Sequence, residues 1–245
     1  MRGRGLVLTT AAAVVATLAG APPAGATACT PTIWSATASN AVITATGKAA
    51  SRVTVRAADS CSNYYYYSPG VWGVSVTAYN PGRDVTTGSL TLSAGTPADG
   101  TWTGYLTFSS KDSIGTWYLD VTASDNDGQV SSVREASLRL RRNTRVSLDA
   151  RPEPVDRGAA LRVSGHMSKL TAKLVYLDFR DAVVRIYFRR VGSSTKVLVT
   201  RTRTDDDGRY SVAVSARRAG RWYAYYPGSF PNTSRWSPSD LVRVR

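Results

Sequence analysis

The feature that most constrains the fold of this chain is its division into short runs of β-branched and aromatic residues. From Thr30 onward the runs are separated by Gly, Asn, Asp, Pro or Ser, and almost no stretch has the spacing of an amphipathic helix. Apolar and polar residues alternate within several runs, which is typical of strands that bury one face. The pattern therefore predicts an all-β fold.

The runs predict strands in both halves of the chain. In the first half they lie near residues 32–38, 41–47, 51–58, 71–79, 87–93, 101–109, 116–124 and 132–140, and in the second near 144–150, 159–166, 182–190, 195–204, 209–216, 221–226 and 241–245. About seven strands in roughly 100 residues is the size of a β-sandwich domain. We therefore predict two tandem domains, at 29–142 and 143–245. Because no Gly or Pro spacer stands at the boundary, we expect them to be closely coupled.

A repeated motif supports the two-domain prediction. Asp99-Gly100-Thr-Trp-Thr-Gly-Tyr-Leu is followed by Gly115-Thr-Trp-Tyr-Leu, and Asp207-Gly208-Arg-Tyr-Ser-Val-Ala-Val is followed by Gly220-Arg-Trp-Tyr-Ala. With these motifs the chain resembles the bacterial immunoglobulin-like modules of secreted and surface proteins, in which a D-G turn opens one strand and a G-x-W/Y pair opens the next. The resemblance covers both halves and implies tandem immunoglobulin-like β-sandwich domains. It implies no particular function.

The N-terminus predicts secretion. Residues 1–28 have a basic start, an apolar stretch at 6–18 and a small-residue cleavage pattern at 24–28, as a secretory signal peptide does. We expect a mature chain that begins near Cys29, has no membrane span, and is released or held non-covalently at the cell wall. In an oxidising compartment the only two cysteines, Cys29 and Cys61, are predicted to form one disulfide.

The charge of the chain is concentrated in its second half. The formal net charge is +14, and residues 143–245 carry 20 Lys or Arg against nine Asp or Glu, whereas 29–142 carry nine against eight. Such a positive field attracts anionic polymers, including wall teichoic acids and acidic polysaccharides, and nucleic acid is not an expected partner outside the cell. The alternative interpretation is that the positive charge reflects the amino-acid composition and not a binding function. Arg outnumbers Lys 26 to 5, and a basic surface can serve solubility alone.

The residues needed by common enzymes are scarce. The chain has one histidine, His166, and no G-x-S-x-G, H-E-x-x-H or C-x-x-C motif. Its two glutamates, Glu135 and Glu153, stand at the end of one predicted domain and the start of the next. We therefore predict a non-enzymatic protein with no catalytic residue and no cofactor. A polysaccharide-active enzyme that uses Asp carboxylates is the alternative.

Consecutive carboxylates in the second half raise the question of calcium, which prefers several oxygens close together. The residues are Asp205, Asp206 and Asp207, followed by Gly208. The spacing does not match an EF-hand loop. Asp and Gly in this order are also typical of hairpin turns, which is the interpretation we favour.

Alternation in the second half predicts a basic, aromatic sheet face. If Val184, Ile186 and Phe188 point into the core, the residues between them point out. The predicted ligand-binding residues of this face are Arg185, Tyr187, Arg189, Arg201, Arg203, Tyr223 and Tyr225. Guanidinium groups bind phosphate or carboxylate and flat rings stack on sugars, so the face suits an anionic polymer. The alternative is a solvated edge, and the strands need not share one sheet.

A tyrosine-rich segment in the first half is the second predicted binding region. Four consecutive tyrosines cannot all be buried in an extended chain, because alternate rings point to opposite faces. The residues are Tyr64, Tyr65, Tyr66, Tyr67 and the nearby Trp72. They favour a protein-binding module, such as an adhesin or protease inhibitor, as the alternative function. Packing of the loop against Cys61 is the other interpretation.

Overall fold

The computed structural model describes residues 30–59, 70–82, 85–126, 128 and 130–245, and the regular elements in these ranges are β-strands. Within them no helix is long and apolar enough to cross a membrane. The all-β prediction is confirmed. The signal-peptide prediction, both cysteines and the four consecutive tyrosines lie outside the described residues.

The strands of the first half follow the predicted runs closely. They are β1 (Thr32–Ala38), β2 (Ala41–Ile43), β3 (Lys48–Ala58), β4 (Val71–Tyr79), β5 (Val85–Thr96), β6 (Asp99–Ser109), β7 (Gly115–Asp125) and β8 (Val130–Arg142). Their order across the sheet is β1-β3-β6-β5-β4-β7-β8-β2. Neighbours are antiparallel except β2 and β8, which are parallel.

One strand joins the two layers of the first sandwich. The start of β5 pairs with β4, and its end pairs with β6. Val53 and Val55 of β3 lie in the same hydrophobic core as Leu119 and Val121 of β7, and all four side chains are fully buried. The sheet therefore folds over this core as a sandwich, and alternation along each strand decides which side chains enter it.

The second half forms two further sheets. Its strands are β9 (Thr144–Val146), β10 (Asp149–Arg151), β11 (Ala160–Leu170), β12 (Tyr176–Asp178), β13 (Val183–Arg190), β14 (Val197–Arg203), β15 (Arg209–Ser215), β16 (Gly220–Tyr226), β17 (Arg235–Trp236) and β18 (Asp240–Val242). In one sheet β9, β10, β12 and β15 all pair with β11. The other has the order β14-β13-β16-β17, with β18 also on β16. A second core contains buried residues from both sheets, such as Leu161 and Ile186.

The two halves contact each other directly. Leu170 of β11 is buried in the first core, and Leu174 and Tyr176 pack against that core. The backbone N–H of Arg142 donates to the carbonyl oxygen of Pro231 at 3.0 Å. The halves thus share apolar and backbone contacts, and the boundary at residue 142 stays a prediction.

A buried tyrosine makes the stability of the second sandwich sensitive to alkaline pH. Tyr210 of β15 is buried, and its hydroxyl donates to the carbonyl oxygen of Ser147 at 2.5 Å. Burial raises the pKa of Tyr210 above its ordinary value of 10.0. Its stabilisation is therefore fully present below about pH 10, where the unfolded chain keeps the phenol neutral, and is lost as the pH rises further.

We expect the free energy of unfolding to fall above about pH 10 and Tyr210→Phe to weaken that fall. At neutral pH the same variant is expected to lose about 1 kcal/mol, because its hydrogen bond is gone. Urea unfolding at a series of pH values measures both effects. Tyr105→Phe, at an exposed position on β6, is the control. Equal alkaline slopes for Tyr210→Phe and the unmodified chain would contradict the prediction.

Candidate functional site

Strand β13 has the predicted alternation. Val184 and Ile186 are fully buried, whereas Arg185, Tyr187 and Arg189 are partly exposed on the opposite face. Phe188 packs against the second core. Because successive side chains of a strand point to opposite sides, burial of one set places the other on the outside of the sheet.

The neighbouring strands bring the other predicted residues to the same face. Arg185 lies directly opposite Tyr225 on β16 and opposite Arg201 on β14, and Tyr187 lies opposite Tyr223. Directly opposed residues of antiparallel strands project to the same side. We call this surface the Arg/Tyr face; its members are Arg185, Tyr187, Arg189, Lys196, Arg201, Arg221, Tyr223, Tyr225 and Trp236.

Trp236 is the centre of the face, and sequence reasoning missed it. Its ring is stacked on Tyr225 at 4.3 Å between centroids and lies 5.0 Å from Tyr187 and 6.2 Å from Tyr223. Trp236 belongs to the two-residue strand β17, which pairs with β16 and places Trp236 opposite Tyr225. A strand of two residues has no alternation to detect, so the aromatic type of Trp236 was the only available signal.

Cations lie over the rings at one end of the cluster. The Nζ atom of Lys196 is 4.1 Å from the ring centroid of Trp236 and 4.7 Å from that of Tyr223. The guanidinium carbon of Arg189 is 5.6 Å from the Tyr223 centroid. These are cation–π distances, and together with Trp236 they explain why Tyr223 is buried on an outward face. Lys196 just precedes β14, so the sequence did not single it out.

Two arginines face each other at the other end of the cluster. Arg185 and Arg201 are directly opposed in the β13–β14 ladder. In the described part of the chain neither has a carboxylate partner, and the Nε atom of Arg185 is buried without a hydrogen bond. Like charges in this position are destabilising. A bound anion would relieve the repulsion and accept from both guanidinium groups.

Arg203 differs from the other predicted arginines. It stands opposite Val183 in the same ladder, but its Nη1 atom donates to the Asp181 carboxylate at 2.9 Å and to the Asp181 carbonyl oxygen at 3.2 Å. The turn before β13 therefore already supplies the counter-ion of Arg203. We leave Arg203 out of the Arg/Tyr face, contrary to the sequence-based assignment.

The three consecutive aspartates form a turn between β14 and β15. A carboxylate oxygen of Asp205 accepts from the backbone N–H of Asp207 at 3.0 Å and of Arg209 at 2.8 Å. Gly208 takes a positive φ of 69°, which favours glycine. Asp206 and Asp207 point to different arginines. Across the described ranges no three His, Cys, Asp or Glu side chains are grouped to hold a metal ion.

His166 is paired with an acid at the surface. Its Nε2 atom lies 2.7 Å from a carboxylate oxygen of Asp178, and both side chains are about half exposed. The nearby hydroxyl of Ser147 bonds to the backbone of His166. The sheet pairing of β11 with β12 explains the contact, since Ser168 lies opposite Asp178. No catalytic role is assigned to this pair.

In the first half, Trp72 on β4 is 75% exposed and forms no part of the Arg/Tyr face. The predicted protein contact through Trp72, Tyr64, Tyr65, Tyr66 and Tyr67 therefore stays a prediction.

No protein-family model and no curated protein matches the chain. Solved structures that match include latent PorU from Porphyromonas gingivalis, at 12% identity over 87% of this chain and 20% of that chain, with a TM-score of 0.31. The adhesin InvE from Yersinia pseudotuberculosis matches at 16% identity over 86% of this chain and 58% of that chain, with a TM-score of 0.30. The fibronectin(III)-like modules of CbhA from Clostridium thermocellum match at 16% identity over 87% of this chain and 92% of that chain, with a TM-score of 0.34.

These likenesses concern the fold alone. The chain spans only a fifth of the PorU chain and 58% of InvE. TM-scores of this size carry no argument about function, and the sandwich assignment rests on the strands and cores described above.

Proposed function

We propose that this protein is a secreted, non-enzymatic binding protein that holds an anionic extracellular polymer on the Arg/Tyr face. The observation that carries the proposal is the cluster of four rings, Tyr187, Tyr223, Tyr225 and Trp236, with cations at both ends. Rings bind the flat faces of sugars and the cations bind acid groups, so the face matches a polymer that contains both.

The rings form a platform that a ligand can reach. Trp236 is 38% exposed, and its stacking on Tyr225 holds it in place without covering it. Rings that already pack against each other lose little conformational freedom when a ligand stacks on them. The platform is therefore preorganised for a planar or ring-shaped group.

The spacing of the cations favours a polymer over a small ion. Arg185 and Arg189 lie four residues apart on β13, a separation of roughly 13 Å at the rise of a β-strand. Arg201 adds to the charge at one end, and Arg221, directly opposite Arg189, adds to it at the other. A single phosphate or carboxylate cannot reach both ends, whereas a chain of acidic units laid over the rings can. The net charge of +11 on residues 143–245 would attract such a chain.

The test is co-sedimentation of the purified protein with bacterial cell wall, and with wall stripped of its anionic polymer, over a salt series. We expect binding to fall with salt, and the double variant Arg185→Ala/Arg201→Ala to lower the slope of log affinity against log salt by about 2. Arg203 is not substituted, because Asp181 already neutralises it.

Arg52→Ala is the matched control, since Arg52 is an exposed strand residue of the first half. It is expected to leave the slope almost unchanged. Equal binding to intact and stripped wall would refute the proposal, and so would an unchanged slope in the double variant.

A further inference from the structure

A cavity of about 190 Å³ opens on the other side of the same sheet. Its lining residues are Phe188, Val199, Ser215, Arg217, Arg218 and Trp222. Phe188 and Trp222 are directly opposed in the β13–β16 ladder and face the second core. The cavity is thus separated from the Arg/Tyr face by the thickness of the sheet, and neither site contributes a residue to the other.

The inner part of the cavity is apolar. The rings of Phe188 and Trp222 lie 5.1 Å apart, and Val199 is the extra residue at a bulge of β14. Gly220 allows this arrangement, because a Cβ atom there would lie 2.4 Å from the Phe188 ring. Apolar cavities of roughly 150 Å³ can hold benzene. This one is large enough for an aryl or short alkyl group.

The rim of the cavity is strongly basic. Arg217 and Arg218 are exposed and form no ion pair within the described ranges. Both also line an adjoining groove of about 650 Å³ with Arg157, Arg190 and Arg245. Arg245 is bound to Asp156 at 2.8 Å, but no such counter-ion is described for the other four. The rim therefore favours an anionic group, for which guanidinium forks are well suited.

We infer that this end of the second sandwich binds a small amphiphilic anion. Its aryl or short alkyl group occupies the cavity against Phe188, Val199 and Trp222. Its phosphate or carboxylate lies on Arg217 and Arg218. The apolar wall suits the first part of this ligand, and the two arginines without a described counter-ion suit the second.

Calorimetric titration of the full-length protein with n-hexyl phosphate, inorganic phosphate and 1-hexanol tests the inference. We expect n-hexyl phosphate to bind at least about tenfold more tightly than either fragment, since it alone combines both parts. Val199→Trp should abolish binding by filling the cavity; Val199 is 43% exposed, so the larger side chain can be accommodated. Arg217→Ala/Arg218→Ala should weaken binding about tenfold or more while changing only exposed residues.

Arg52→Ala, at an exposed position on β3 in the first half, is the control and should bind n-hexyl phosphate normally. Binding that survives Val199→Trp, or equal affinity for inorganic phosphate, would overturn the inference.

Vesicles of phosphatidylglycerol in phosphatidylcholine test whether the anion is a lipid headgroup or a free molecule. Vesicle binding that is lost in both Val199→Trp and Arg217→Ala/Arg218→Ala identifies a lipid headgroup as one source. Vesicle binding without n-hexyl phosphate binding would overturn the site, because the membrane would then be recognised by charge alone. The wall-binding result of the Arg/Tyr face is independent of every one of these outcomes.

Discussion

Replacing Trp117 by alanine is expected to lower the free energy of unfolding by about 3–5 kcal/mol. Trp117 is fully buried in the first core and packs edge-on against Phe108 at 5.0 Å between centroids. Its Nε1 donates to the carbonyl oxygen of Ser113 at 3.0 Å. The substitution removes a fully buried tryptophan from this core and leaves a void. The Ser113 carbonyl oxygen keeps the Asn80 side-chain N–H as a donor, at 3.4 Å. Urea unfolding followed by circular dichroism measures the loss.

Trp34→Ala is the matched control for this prediction. Trp34 lies on β1 in the same sandwich, but its side chain is mostly exposed. We expect a change within about 0.5 kcal/mol, as for surface positions in general. Similar losses for the two variants would show that Trp117 does not fill the core as described.

Most strands could be predicted because each forms its own apolar run. The run at 116–124 became β7, Gly115–Asp125, and the run at 182–190 became β13, Val183–Arg190. Strands β12 and β17 were missed, because three and two residues are too few to show alternation. They exist because longer neighbours, β11 and β16, offer free backbone groups to pair with.

The repeated motif was informative in one part and misleading in another. Trp117 and Trp222, the aromatic residues of its G-x-W pairs, are both buried in their cores. Asp99 and Gly100, however, are not a turn, since they pair with Thr96 and Gly95 as part of β6. The turn lies at residues 97 and 98. Only the second D-G copy, with Gly208 at positive φ, is a turn as predicted.

The candidate site shows which features the spacing of residues along the sequence can predict and which it cannot. Alternation correctly places Arg185, Tyr187 and Arg189 on one face, because it depends only on neighbours in the chain. Which residues lie beside them depends on strand order, which joins β13 to β14 and β16. That pairing adds Trp236 to the face, and a turn carboxylate from Asp181 removes Arg203 from it. Neither this strand pairing nor the ion pair between Arg203 and Asp181 leaves a periodic pattern in the sequence.

Trp236→Ala is expected to weaken cell-wall binding by roughly 10- to 100-fold, the range that loss of one aromatic stacking platform produces. The variant removes the ring that is stacked on Tyr225 and that holds Lys196 over the platform. The fold should be retained, because Trp236 is partly exposed on a two-residue strand. Co-sedimentation with isolated cell wall at low salt gives the affinity, and urea unfolding checks the fold.

The salt dependence of this variant separates stacking from charge. Trp236→Ala keeps every cation of the Arg/Tyr face, so the slope of log affinity against log salt should stay near that of the unmodified protein while the affinity falls. Arg185→Ala/Arg201→Ala is expected to change the slope. Trp72→Ala, which removes a 75% exposed tryptophan from β4, should change neither quantity. Equal cell-wall binding by the Trp236→Ala and Trp72→Ala variants would contradict the stacking role of Trp236. The rings would then only fill the space between the arginines, and binding would be electrostatic alone.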